Sequence, residues 1–186
     1  MIKDCEQEDE MNLMNSYPCQ LKDLSLSCYG CCRNGLSSSS QINSDLEKNN
    51  YDFKKYYLDK EKSDENLKSF RDRYGIKDTL SSGVCRNLVD FKDSCVACPL
   101  HPFVNLVVSS KKTIAPKQDL RVGFCDTEFE CETVKFWCNM ELNERKAFIR
   151  FLQSKEFDNH NYSMLNISGE LIQEFFRRRF EFEDLE

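Results

Sequence analysis

Cysteine constrains this chain more than any other residue type: eleven of its 186 positions are Cys. Thiols at that density are too numerous to be core filler, and each must stay reduced, join a disulfide or bind a metal. An odd number does not fit a fully paired disulfide framework. Cys5, Cys19, Cys28, Cys31 and Cys32 fall in the first 35 residues. Cys85, Cys95, Cys98, Cys125, Cys131 and Cys138 fall between residues 83 and 138. The first ten residues carry five acids and lack the basic start and apolar stretch of a secretory leader. The expectation is a cytoplasmic chain with reduced thiols, a setting in which dense cysteines read as metal ligands rather than disulfides. No 18-residue apolar run is present, so no membrane span is expected.

Charge narrows the classes further. Twenty-six Lys and Arg face 32 Asp and Glu, a net charge of −6. Nucleic acids and anionic membrane surfaces attract basic patches, so neither is an expected partner. A protein partner is left open.

Along the chain, residues 1–18 read as a flexible acidic arm. Residues 19–138 hold the cysteine clusters and form one metal-binding domain. The serine run Ser37 to Ser40 reads as a joint. Between 44 and 74, Leu46, Phe53, Tyr56, Tyr57, Leu67, Phe70 and Tyr74 recur at spacings of three, four and seven. That period predicts one or two amphipathic helices, broken near Asp59–Asp64 and stopped at Gly75. With no Cys, Gly or Pro, this stretch reads as a solvated helical insertion peripheral to the metal. Phe103 to Val108 and Leu120 to Phe124 read as a pair of strands. The tail, 139–186, reads as helical and packed on the cysteine domain. Asn143 is the expected cap of a helix bearing Phe148, Ile149, Phe151 and Leu152. Ser168 is the expected cap of a second, with Ile167 and Ile172 as its staple. Ile172, Phe175, Phe176 and Phe180 mark that helix's inner face, and Arg177, Arg178 and Arg179 a solvated end. The fold class is mainly α, an α+β chain with little strand.

The chemistry sits in the cysteine spacing. Cys28-Tyr29-Gly30-Cys31 separates two thiolates by two residues, the spacing that closes on one ion through a tight turn. Gly30 lets the backbone approach closely, and Cys32, directly after the pair, is expected to point elsewhere. Cys95-Val96-Ala97-Cys98 repeats the spacing, with Pro99 and Pro102 stiffening its exit. Cys28, Cys31, Cys95 and Cys98 therefore read as metal ligands. Cys125 and Cys131 form a third group with Cys138. Cys5 reads as unligated, Cys19, Cys138 and His101 are left undecided, and His160 is expected at the surface. Neither pair sits between a strand and a long helix, as a thioredoxin-like site requires. No phosphate loop, zincin helix or nucleophile elbow is present, and no residue reads as catalytic.

The order Cys-x-x-Cys-Cys at 28–32, Cys-x-x-Leu at Cys85 to Leu88, then Cys95 and Cys98 before a Pro-rich turn resembles the YkgJ-type cysteine-cluster proteins. These are described as zinc- or iron-chelating domains related to a cysteine-rich part of flagellin lysine methylases. The resemblance spans roughly residues 28–131, a judgement of motif order, and implies ligand roles for Cys28, Cys31, Cys32, Cys85, Cys95, Cys98, Cys125 and Cys131. A further Cys that the family carries before the cluster is Ser25 here, with Cys19 nearby.

Thiolate-rich sites suit zinc, iron–sulfur clusters or Cu(I). The leading expectation is a soluble metal-binding protein, with zinc as cofactor or iron as the alternative, whose sites link distant segments. An iron–sulfur enzyme or redox protein is the runner-up. An adaptor offering its aromatic helices to a protein partner is the third reading.

Overall fold

The computed structural model describes residues 17–32, 38–75, 83–91, 95–102, 106–108, 112–114 and 116–182. Cys5 and nearly all of the 1–18 arm lie outside them. The architecture is mainly α with little strand: six α-helices and three two-stranded antiparallel hairpins among the described residues. No described helix is long and apolar enough to cross a membrane.

The chain divides into two compact units that do not follow the blocks 1–18, 19–138 and 139–186. The first combines residues 1–30 with 130–186, and the second is the continuous segment 31–129.

The first unit opens with a hairpin, β1 (Gln20–Leu21) and β2 (Leu26–Ser27), paired Gln20 to Ser27 and Leu21 to Leu26. Four helices follow from residue 130 on: α3 (Glu132–Asn139), α4 (Leu142–Gln153), α5 (Asn159–Ser168) and α6 (Glu170–Arg178). They are numbered after the two helices of the second unit, α1 (Ser39–Phe53) and α2 (Asp64–Asp72). The core is aromatic. Phe148 is fully buried, with the rings of Trp137, Phe151 and Phe175 at 5.9, 6.1 and 5.1 Å. Leu21 and Leu26 of the hairpin join the same cluster.

The caps differ from the sequence reading. Glu141, not Asn143, starts α4, through a capping box with Glu144. Ser168 ends α5 instead of starting α6: Gly169, at φ +77°, closes one helix and opens the next. Only glycine takes that left-handed conformation without strain, so the two helices join through a single residue. Leu171, Ile172 and Phe175 of α6 are buried, whereas Phe180, expected on that face, is 72 % exposed. Arg178 pairs with Glu174 and Glu181, and Arg179 with Glu144, as suits a solvated helix end.

In the second unit, α1 begins at the Ser38 cap, whose hydroxyl accepts from the Gln41 amide. It runs into a π-helical turn, Lys54–Leu58, and α2 starts after a break, capped by Ser63. Gly75 follows at φ +75°. The predicted interruption near Asp59–Asp64 is therefore present, but the stretch is no solvated insertion. Phe53, Tyr57, Leu67 and Phe70 are buried and pack with Val89, Ala97, Leu100 and Leu120 as the core of the unit. Arg73, its side chain wholly buried, pairs with Asp52 at 2.9 Å. It also donates to Asn49, Asn87 and the carbonyls of Phe70 and Arg86.

Two hairpins complete the unit: β3 (Val89–Phe91) with β4 (Cys95–Ala97), and β5 (Leu106–Val108) with β6 (Lys112–Ile114). The predicted strand Leu120 to Phe124 is instead a turn. The Asp119 carboxylate accepts from the Arg121 amide at 2.9 Å and grips its guanidinium at 2.7 Å. Gly123 sits at φ +83°. An Asx-type turn followed by a left-handed glycine cannot continue as a strand, so β5 finds its partner in Lys112–Ile114.

Candidate metal centre

The unit boundary falls inside the Cys28 to Cys32 motif. Cys28 belongs to the first unit with Cys19, Cys131 and Cys138, while Cys31, Cys32, Cys85, Cys95, Cys98 and Cys125 belong to the second. No disulfide joins any two of the nine cysteines whose side chains are described. The Cys95 side chain lies outside the described residues, although its backbone pairs with Phe91.

In the second unit, Cys31 and Cys32 close a one-turn 3-10 helix, Gly30–Cys32. Their sulfurs stand 3.9 Å apart, so the vicinal pair does not diverge as its spacing suggested. Ligands about 2.3 Å from a tetrahedral zinc are about 3.8 Å from one another, which the pair matches. The Cys85 amide donates to the Cys32 carbonyl at 2.6 Å, binding the two cysteine segments by their backbones.

The Cys85 segment hangs from α1, the helix read as peripheral. The Asn49 side-chain amide donates to the carbonyls of Cys85 and Leu88 at 3.1 and 2.9 Å. The Asp45 carboxylate accepts from the Val84 amide at 3.1 Å. Gly83 lies against that carboxylate at φ +75°, where an added Cβ would fall 1.7 Å from Asp45 Oδ2. Cys98 is placed by the turn after β4. Its carbonyl accepts from His101, and Leu120 donates to the Leu100 carbonyl, bringing the Asp119–Cys125 turn to the same region.

These thiols lie within electrostatic range of one another. Cys32 is pushed well above the ordinary thiol range by its hydrogen bond to Cys31, by burial, and by the charges of Cys31, Cys85 and Cys98. Burial raises Cys98, and Cys85 and Cys125 add to it. Cys125 is raised by burial, then by Cys85 and Cys31 among other charges. Cys85 also rises by burial. Cys31 moves the other way, to about 7, because the Cys32 thiol hydrogen-bonds to it. Its own backbone amide and Arg121 assist. Arg121 also faces Cys98 and Cys125 and was not visible as a site residue in the spacing. Such a set repels its own ionisation. A bound cation reverses that balance and holds coordinating thiols deprotonated.

In the first unit, the Cys28 amide donates to the Cys19 carbonyl at 2.9 Å, just beyond the β1–β2 pairing. Cys131 is the N-terminal flanking residue of α3. Buried Tyr162 has its phenol pushed well up by desolvation, with the charges of Cys28, Cys19 and Cys131 adding to it. Cys138 is exposed and hydrogen-bonds Tyr17. Gly30 serves packing rather than a sulfur: a Cβ there would meet the Ser163 carbonyl at 2.7 Å. His160 is half-buried, its Nδ1 3.4 Å from the Tyr29 hydroxyl.

As the side chains stand, no three His, Cys, Asp or Glu among the described residues converge closely enough to hold one ion. The soft donor set, the Cys31–Cys32 sulfur pair at ligand spacing and the backbone ties between cysteine segments nevertheless fit a thiophilic metal. Rotation about χ1 between staggered wells moves a cysteine sulfur by about 3 Å with no backbone change. Neither the protein-family models, the curated proteins nor the solved structures contain a match to this chain.

Proposed function

We propose that this chain is a cytoplasmic metal-binding protein whose second unit holds a thiophilic ion, zinc in the leading case, through Cys31, Cys32, Cys85 and Cys98, with Cys125 beside them. The observation that carries this reading is the 3.9 Å separation of the Cys31 and Cys32 sulfurs, on a backbone tied directly to Cys85. The metal-binding part of the YkgJ resemblance points to the same residues. Bound zinc closed by four thiolates is structural, and its binding free energy adds to folding. Metal analysis of protein purified without oxygen tests the proposal, with stoichiometric metal the expected result. Complete chelation is then expected to lower the melting temperature strongly. A metal-free chain, or unchanged thermal stability after stripping, would refute it.

A second reading, an iron–sulfur protein, draws on the same vicinal pair, since adjacent thiolates also suit a cluster with more than one iron. A brown preparation with visible absorbance favours iron, and a colourless one containing zinc favours the structural ion.

A further inference from the structure

Helix α1 carries a polar residue where its apolar stripe should continue. Ile42, Leu46 and Phe53 are buried, and Asn49 falls in the same row, three residues past Leu46 and four before Phe53. A buried amide side chain needs partners at both ends. Its nitrogen donates to the carbonyls of Cys85 and Leu88, and its oxygen accepts from Arg73 Nη2 at 3.2 Å. Arg73 follows the last residue of α2, with its guanidinium 4.0 Å from the Phe70 ring centroid and 4.8 Å from that of Tyr74. A guanidinium has five N–H bonds to place. Nε donates to Asp52, Nη1 to the Phe70 carbonyl and the Asn87 side chain, and Nη2 to Asn49 and the Arg86 carbonyl. Five donors meet five acceptors, and the Tyr74 hydroxyl donates to the same Asp52 oxygen and so fixes that carboxylate as well.

Three of these bonds, two directly and one through Asn49, end on the turn Cys85–Leu88. That turn is closed by the Leu88 amide donating to the Cys85 carbonyl at 2.9 Å. Its central peptide joins Arg86 to Asn87. The carbonyl of that peptide accepts from Arg73, and its N–H, on Asn87, hydrogen-bonds the Cys85 sulfur. The two ends of one planar peptide unit point in opposite directions, so a grip on the carbonyl also aims the N–H. Cys98 sits in a matching turn. There the His101 amide closes on the Cys98 carbonyl at 3.1 Å, and the Leu100 amide hydrogen-bonds the Cys98 sulfur. Pro99 holds the second position of that turn, and its fixed φ presets the geometry. Arg86 holds the corresponding position after Cys85 and presets nothing, so that turn is held from outside.

We propose that Arg73 is the positioning residue of the Cys85 thiol: it grips the Arg86–Asn87 peptide by its carbonyl and so aims the opposite N–H at the sulfur. The use of that position rests on the second-unit ion proposed above, for which Cys85 is a ligand. Lysine cannot take the place of Arg73. It keeps a charge beside Asp52, but it donates from one point and cannot span the carboxylate, two side-chain amides and two carbonyls.

The test is amide hydrogen exchange, read by nuclear magnetic resonance on the reduced, zinc-free full chain, for wild type and Arg73→Lys. In the wild type the amides of Asn87 and Leu100 are both expected to exchange slowly. A wild-type Asn87 amide that exchanges as fast as a free peptide overturns the proposal without any variant having to fold. In Arg73→Lys the Asn87 amide is expected to exchange faster by about tenfold, the worth of roughly one hydrogen bond, with Leu100 unchanged. Leu67→Ala controls for general loosening, since Leu67 is buried in the core of the same unit and makes none of these bonds to the turn. It is expected to move the two amides together. An Arg73→Lys chain in which both amides move alike, or neither moves, overturns the proposal. Zinc competition against a chromogenic chelator is the second readout. Arg73→Lys is expected to weaken zinc binding by about tenfold or more, as the loss of a residue that orients a ligand does, and equal affinity in the two chains overturns the proposal. A wild-type chain that binds no zinc refutes the second-unit ion alone, and the zinc-free exchange still decides the role of Arg73.

Discussion

Replacing Gly83 by alanine tests how α1 holds the Cys85 segment. Two separate costs follow from the geometry. Gly83 has φ +75°, and an L-residue in the left-handed region costs about 1–2 kcal/mol. The new Cβ would also overlap Asp45 Oδ2, 1.7 Å away, while that carboxylate accepts from the Val84 amide. The carboxylate must swing aside, and losing a hydrogen bond to a charged group costs about 1.5–3 kcal/mol. Gly83→Ala is therefore expected to cost about 3–4 kcal/mol. Asp45→Ala alone loses the same hydrogen bond and is expected to cost about 2 kcal/mol. The double variant has already lost that bond and adds only the backbone cost, so it should match Gly83→Ala at about 3–4 kcal/mol. Simple addition would give about 5–6 kcal/mol, and the coupling of about 2 kcal/mol is the quantity to measure. Urea unfolding followed by far-ultraviolet circular dichroism is the suitable assay. Trp137, the single tryptophan, lies in the other unit and its fluorescence would report on the wrong core. Strictly additive losses, or a Gly83→Ala variant as stable as wild type, would show that the carboxylate and the glycine do not meet as described.

Arg73→Met leaves Asp52 without its buried cationic partner and is expected to cost about 3–5 kcal/mol by denaturant unfolding. Phe148→Ala opens a cavity among Trp137, Phe151 and Phe175, and is expected to cost about 3–5 kcal/mol, read as a lower urea midpoint. His101 has its folded-state pKa lowered, first by burial and then by Arg121. The unfolded state therefore takes up a proton first as pH falls. The stability held with neutral His101 is complete above its unfolded value near 6.5 and is lost as pH falls from there toward the folded value. His101→Gln should flatten that part of the stability profile between pH 8 and 5, and an unchanged profile would refute the assignment.

The cysteine clusters and the period of the 44–74 stretch were legible because each is a local pattern. The function of that stretch in the fold was not. Leu46, Phe53, Tyr57, Leu67 and Phe70 were all recognisable as an apolar stripe, yet polar neighbours suggested that the stripe was minor. Those five residues are buried, and the polar Asn49 among them and Asp45 just before them are what reach the Cys85 segment. Helix α5 escaped notice for a related reason. Its buried residues are Tyr162, Ser163 and Asn166, so its inner face is largely polar and leaves no hydrophobic period. The strand expected at Leu120 to Phe124 failed because Asp119 turns the backbone toward Arg121, a side-chain effect that an apolar run does not reveal. The division of cysteines between two units was hidden because Cys28 and Cys31 are close in sequence, and spacing treats such neighbours as partners.

The chain enters its second unit at Cys31 and leaves it at Phe129, and this path orders events during synthesis. Residues emerge from the ribosome in sequence, at roughly 5–20 per second. Once residue 129 is out, the whole second unit is available to collapse, because nothing later in the chain belongs to it. The hairpin that carries Cys19 and Cys28 meanwhile waits for helices still being translated. With about a hundred residues between its strands and α3, that delay is roughly 5–20 s. The hydrogen bond from the Tyr162 hydroxyl to the Pro18 carbonyl, across 144 positions, closes later still. The nascent chain can therefore fill its contiguous thiol group first, and the hairpin cysteines stay open to competing metals and oxidants until α5 has emerged.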